Sequence, residues 1–145
     1  IMIVTLYGPD SYRRLKKLKE LTDSFLVKNP NAAHKRGFLE TKEDWGTLEI
    51  FLGSNSIFTP KKLFVIDEPF EHAENKEFKK LLKKYEESKD TFIFLNTTIK
   101  FSTTFKFLGE GPNELQEYPT LKDEKLTFFI QKEAKSMGFD IDKES

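Results

Sequence analysis

The sequence contains no cysteine. That rules out a disulfide framework and any thiolate metal site. It also suits a reducing compartment, and a cytoplasmic location is expected. Histidine is scarce: His34 and His72 stand far apart and neither has a partner at metal-ligand spacing, so no metal site is expected. Net charge is missing as well, because 24 Lys and Arg face 24 Asp and Glu. A domain that held nucleic acid over its whole surface would be basic, which leaves only a local patch open. No apolar run approaches the ~20 residues that cross a bilayer, and no membrane association is expected. The apolar stretch Ile1–Tyr7 is short and lacks a basic flank, so it is expected to be a strand and not part of a signal peptide.

What is present, over 145 residues, fits a domain of ordinary size with a real core. Three short apolar runs stand out: Ile3–Tyr7, Leu63–Ile66 and Phe92–Leu95. None alternates with polar residues, which marks strands covered on both faces, typically parallel and flanked by helices. His34–Glu40 reads as a weaker, more polar strand at or near an edge, and Leu115–Tyr118 as a fifth. Helical spacing fills the intervals. Asp10 or Ser11 can cap a helix to about Lys28, with Leu15, Leu18, Leu21 and Phe25 as its apolar stripe and Arg13, Arg14, Lys16, Lys17 and Lys19 on its early surface. Thr41 can cap a second over about Glu43–Leu52, stopped by Gly53. A third spans about Ala73–Glu87, and a short amphipathic piece aligns Phe101, Phe105 and Leu108. The order β-α-β-α-β-α-β-α-β predicts an α/β fold with a five-stranded, doubly wound parallel sheet over residues 1–119. After Pro119 a helix over Lys122–Met137 is expected, with Leu126, Phe129, Ile130, Ala134 and Met137 inward and Gly138 closing it. Residues 120–145 are expected to be the start of a second, truncated helical domain.

The turn after the first strand reads Tyr7-Gly8-Pro9-Asp10-Ser11-Tyr12-Arg13-Arg14. A phosphate-binding loop would read G-x-x-x-x-G-K-[ST], with backbone amides, lysine and hydroxyl holding phosphate and magnesium. The second glycine, the lysine and the Ser/Thr are missing, Pro9 removes an amide donor, and Asp10 sets a carboxylate where phosphate oxygens would sit. No nucleotide and no other cofactor is expected there. Yet Phe64-Val65-Ile66-Asp67-Glu68 has the shape of a Walker B strand, and the next strand ends in Asn96, where related ATPases keep a polar residue that senses the γ-phosphate. Acids and amides also commonly end buried strands, so each motif is weak alone. The layout points to descent from an ATPase fold.

Two further features bear on binding. Ile57 and Phe58 lie in the polar connection Ser54-Asn55-Ser56-Ile57-Phe58-Thr59-Pro60. They can fold back over the core, the usual fate of apolar residues, or project as an anchor into a partner's pocket. Neighbouring side chains of an extended segment point apart, which favours exposure of at least one. The basic run Arg13–Lys19 reads first as a solvated helix face, with phosphate contact the lesser alternative.

The segments Y-G-P-D-S-Y, S-N-S-I-F-T-P-K-K-L-F-V-I-D and A-K-S-M-G-F-D-I, in that order and spacing, resemble the delta subunit of the bacterial DNA polymerase III clamp loader. The resemblance implies an AAA+/RecA-like three-layer domain with a degenerate P-loop, inactive as an ATPase. It implies that Ile57 and Phe58 plug into a pocket on the sliding clamp (beta) and favour an open ring. It implies partnership with delta-prime and tau/gamma subunits through domains outside this chain, and with DNA through the full complex. Asp67, Glu68 and Asn96 would then be non-functional remnants of Walker B and sensor positions. No catalytic residue is implied; the DNA-directed DNA polymerase, a nucleotidyltransferase, would be the holoenzyme. Two alternatives stay open: a divergent ATPase without a P-loop, and a stand-alone interaction domain of AAA+ ancestry.

Overall fold

Three neighbouring strands of the sheet are buried on both faces, and the fold is built around them. In the computed structural model, which describes residues 3–54, 61–72, 75–99, 102–121 and 123–137, these are β1 (Ile3–Tyr7), β3 (Lys62–Asp67) and β4 (Thr91–Thr97). β2 (Ala33–Gly37) and β5 (Glu114–Glu117) are the polar edges. All pairings are parallel and the order is β2-β3-β4-β1-β5. Helices cover both faces: α1 (Ser11–Lys28), α2 (Lys42–Gly53), the short α3 (Pro69–His72), α4 (Asn75–Tyr85), a 3-10 segment (Thr103–Gly109) and α5 (Asp123–Ser136). The expected five-stranded parallel sheet in a three-layer α/β arrangement is what the chain forms.

Strand alternation sends side chains to two cores. Val4, Leu6, Leu63, Val65 and Phe94 meet Leu18 and Phe25 of α1 on one face. Ile3, Phe64, Ile66, Ile93 and Leu95 meet Leu48 and Leu52 of α2, Phe78 and Leu82 of α4, and Phe105 and Leu108 of the 3-10 segment on the other. Here the phenylalanines have a packing use: Phe70, Phe78 and Phe105 stack edge-on or tilted with centroids 4.9–5.8 Å apart. Trp45 adds a fourth ring against Phe78.

The helix caps follow the sequence. Asp10 Oδ1 accepts the Arg13 N–H, and Thr41 and Asp44 form a reciprocal capping box at α2. Four expectations are corrected. The buried stripe of α1 begins at Arg14, not Leu15: Arg14 is 4% exposed and Leu15 42%. Gly53 lies inside α2, and Ser54 is its cap. The piece after Asn96 is 3-10 rather than α-helical, with Phe105 and Leu108 buried as expected. On α5, Ala134 is buried, but Ile130 and Met137 are exposed. The reason is the face that α5 turns to α1: Phe129 packs against Tyr12 and Arg13, and Glu133 accepts from Tyr12 Oη and Lys16 Nζ. Phe101, the Leu126 side chain and Gly138 lie outside the described residues.

Gly8 sets how β1 leaves the sheet. Its φ is +127°, and two bonds lock it against β5: Tyr118 N–H to Tyr7 O at 2.7 Å and Asp10 N–H to Tyr118 O at 3.0 Å. A Cβ at Gly8 would lie 2.4 Å from the Tyr118 carbonyl oxygen. Both clash and conformation oppose any side chain. Gly8→Ala should therefore cost at least about 2 kcal/mol, read as a lower midpoint in chemical unfolding; an unchanged midpoint would show that the turn yields freely.

Candidate functional site

Parallel sheets place their functional groups at the carboxyl ends of the strands, because connections there are free to carry them. In this chain those ends hold a continuous polar relay in strand order. Register sets Asp67 of β3 beside Asn96 of β4, and the Asn96 amide donates to Asp67 Oδ1 at 2.7 Å. Arg36, from edge strand β2, donates to both Asp67 oxygens at 2.7 and 2.8 Å. That planar two-point pairing is the strongest form of carboxylate recognition. The hydrogen bond to Asp67 raises the Arg36 pKa above its ordinary value, against a smaller opposing effect of burial. On the other side of Asn96, Oδ1 accepts from Arg14 Nε at 2.7 Å. Arg14 also donates to the Gly8 carbonyl and, at 3.4 Å, to Thr98 Oγ1.

Glu68 follows β3 with a φ of 46°, a left-handed conformation that costs a non-glycine residue about 1–3 kcal/mol. Several bonds hold it there. Its N–H donates to Asn96 O at 2.7 Å. Its carboxylate accepts from the Thr98 amide at 3.0 Å, Thr98 Oγ1 at 2.7 Å and Thr97 Oγ1 at 3.1 Å, and it stands 3.9 Å from Arg14 Nη2.

The structure thus brings together Asp67, Glu68 and Asn96, and adds two arginines that sequence reasoning missed. Arg14 was expected on the exposed surface of α1; it is buried. A signal existed: Arg14, Leu18, Leu21 and Phe25 follow helical spacing, and Arg14 stands six residues after Gly8, at the lysine of a phosphate loop. Arg36 carried no local signal, since an arginine in a polar edge strand ordinarily faces water. The other cations of the early α1 run are paired with carboxylates: Arg13 with Asp10, Lys16 with Glu133, Lys17 with Glu20 and Lys19 with Asp23. Among the described residues no cluster of His, Asp and Glu could hold a metal ion, and no helix is long and apolar enough to cross a membrane.

Ile57 and Phe58 lie outside the described residues. The two stems that flank them are joined directly. Lys62, buried at the start of β3, donates from Nζ to Leu52 O of α2 at 3.0 Å, and burial lowers its pKa. The Ser54 N–H closes α2 on Ile50 O.

No protein-family model matches the sequence, and no curated protein sequence matches it. The fold is similar to that of the Bacillus subtilis DNA clamp loader delta protein, with a TM-score of 0.60 and 15% sequence identity. The match covers 93% of this chain and 43% of that protein, so the chain spans less than half its length. At that identity the likeness is one of fold.

If the relay is a structural element, Asp67→Ala strands the Asn96 amide and the Arg36 guanidinium without their acceptor. A loss of about 2–3 kcal/mol is expected in denaturant unfolding. An unchanged unfolding curve would mean that the relay contributes nothing.

Proposed function

We propose that this chain is the clamp-binding domain of a clamp-loader delta subunit, a non-catalytic subunit that grips the sliding clamp and helps to open it for loading on DNA. The observation that carries the reading is a combination: the fold of a clamp loader delta protein, with the place of a phosphate-binding lysine taken by an arginine bonded to its own domain. A domain whose strand ends are filled by its own side chains has its remaining work at its surface.

In this reading Ile57 and Phe58 are the anchor. They are adjacent apolar residues in a connection otherwise made of Ser, Asn, Thr and Pro. Each, fully buried in a partner's pocket, contributes about 1.5–3 kcal/mol, and buried anchors of this kind dominate interfaces. Ring opening needs no chemistry from this chain. Tighter binding to the open form than to the closed one shifts the clamp's own equilibrium. Its partners are delta-prime and tau/gamma subunits, ATP is bound by other subunits of the complex, and DNA is met by the whole complex. Asp67, Glu68 and Asn96 keep the strand ends in order and have no catalytic role. The competing reading, a divergent ATPase, requires Arg36 to leave Asp67 before that carboxylate can take a metal, and Arg14 to leave its own acceptors before it can meet a phosphate.

The test is the affinity of the chain for the sliding clamp of its own organism. Ile57→Ala/Phe58→Ala is expected to weaken binding about 100-fold or more. Equal affinity of the two proteins would overturn the assignment of the anchor. Absence of binding by the unaltered chain would overturn the clamp reading. Micromolar ATP·Mg²⁺ binding abolished by Asp67→Ala would favour the ATPase instead.

A further inference from the structure

A nucleotide does not fit the strand ends of this domain as they stand. Four amides around the start of α1 are engaged: Asp10 N–H on Tyr118 O, Ser11 N–H on Pro9 O, Arg13 N–H on Asp10 Oδ1 and Arg14 N–H on Asp10 O. The Asp10 carboxylate lies at the helix N-terminus and is itself bonded to Arg13 Nε. Both oxygens of Asp67, the group that would take a metal, are held by Arg36. The Arg14 side chain, at lysine spacing from Gly8, turns to protein acceptors: the Gly8 carbonyl, Asn96 Oδ1 and Thr98 Oγ1, with the Glu68 carboxylate beside it. These acceptors belong to the turn after β1 and to the ends of β3 and β4.

We propose that Arg14 is an internal ligand: its guanidinium joins the carboxyl ends of β1, β3 and β4 as a bound phosphate would in a phosphate-loop protein, so that the domain holds its shape without nucleotide. The chemistry of the donor makes this specific. Guanidinium is planar and offers five N–H groups in a fixed fork, which can serve acceptors lying in different directions at once. An ammonium on the same stem is a point donor and cannot reach Asn96, the Gly8 carbonyl and Thr98 together. The inference extends to Glu68. Its left-handed backbone is held by bonds from Thr97 and Thr98 on the rim of the same cluster, so loosening Arg14 releases a strained residue as well. It stands independently of what the surface of the domain binds.

Thermal unfolding and amide hydrogen exchange of this chain test it, with no partner present. Arg14→Ala is expected to lower Tm by about 6–12 °C, the effect of uncovering several buried acceptors in a domain of this size. Millimolar methylguanidinium should restore part of that loss in Arg14→Ala and leave the unaltered chain unmoved; methylammonium should restore none. Should Arg14→Ala fail to fold, Arg14→Lys carries the test: it keeps the charge and is expected to unfold at lower temperature. In it the Glu68 and Thr98 amides should exchange at least about tenfold faster than core amides of β3, relative to the unaltered chain. The proposal is overturned if Arg14→Lys matches the unaltered chain in both readouts. It is overturned equally if methylammonium rescues as well as methylguanidinium, or if ATP·Mg²⁺ raises the Tm of the unaltered chain.

Discussion

A buried guanidinium has to find acceptors for its N–H groups, and the arrangement of this domain's strand ends follows from how Arg14 finds them. Its partners come from three strands. The Gly8 carbonyl follows β1, Glu68 follows β3, Asn96 lies near the end of β4 and Thr98 just follows it. Asn96 can present its oxygen to Arg14 only because its amide is spent on Asp67. Asp67 in turn is oriented by the fork of Arg36. Each group fixes the next, so the relay crosses the sheet in strand order from β2 to β1. Gly8 carries it to the far edge, where its close approach to Tyr118 joins β5 to the same turn.

This arrangement bears on how one sheet serves different purposes. An open parallel sheet leaves its carboxyl ends as a natural ligand site. A protein that uses the site for a ligand must leave amides and carboxylates unsatisfied until the ligand arrives. Here the chain satisfies them itself, and the domain has no need of a bound group to complete its structure. In the proposed reading such a scaffold serves to hold the stems of the Ile57–Phe58 segment on a rigid sheet. Lys62 is part of that support. Its ammonium ties the end of α2 to the start of β3 across the interval that contains Ile57 and Phe58.

Much of the architecture was legible from residue pattern. The apolar runs of β1, β3 and β4 lack alternation, which only a strand covered on both faces tolerates. Asp10 and Thr41 marked helix starts because their short side chains accept from the amides three residues on. The polar character of His34–Glu40 marked an edge strand, which forms over Ala33–Gly37. Elsewhere local pattern misled. Ile130 and Met137 are apolar at helical spacing, yet both are exposed, because α5 turns Phe129 and Glu133, and not these two, toward Tyr12 and Lys16 of α1. The segment around Phe105 has the right spacing for an α-helix, but a kink at Phe105 keeps it in tighter 3-10 turns that still bury Phe105 and Leu108.

By itself the sequence determined that this is a parallel α/β domain whose first turn lacks a phosphate-binding loop. Those properties depend on residue type and short spacing, which the chain carries locally. Only the tertiary structure decided what fills the vacated place. Arg14 and Asn96 are 82 residues apart and Arg36 and Asp67 are 31 apart. No periodicity links such pairs, and a side chain's partners over that range are fixed only when strand order and register bring the ends of β2, β3, β4 and β1 together. The turn from Gly8 to Arg14 shows both halves. Its letters excluded the phosphate loop, and its folding put an arginine in the lysine's place.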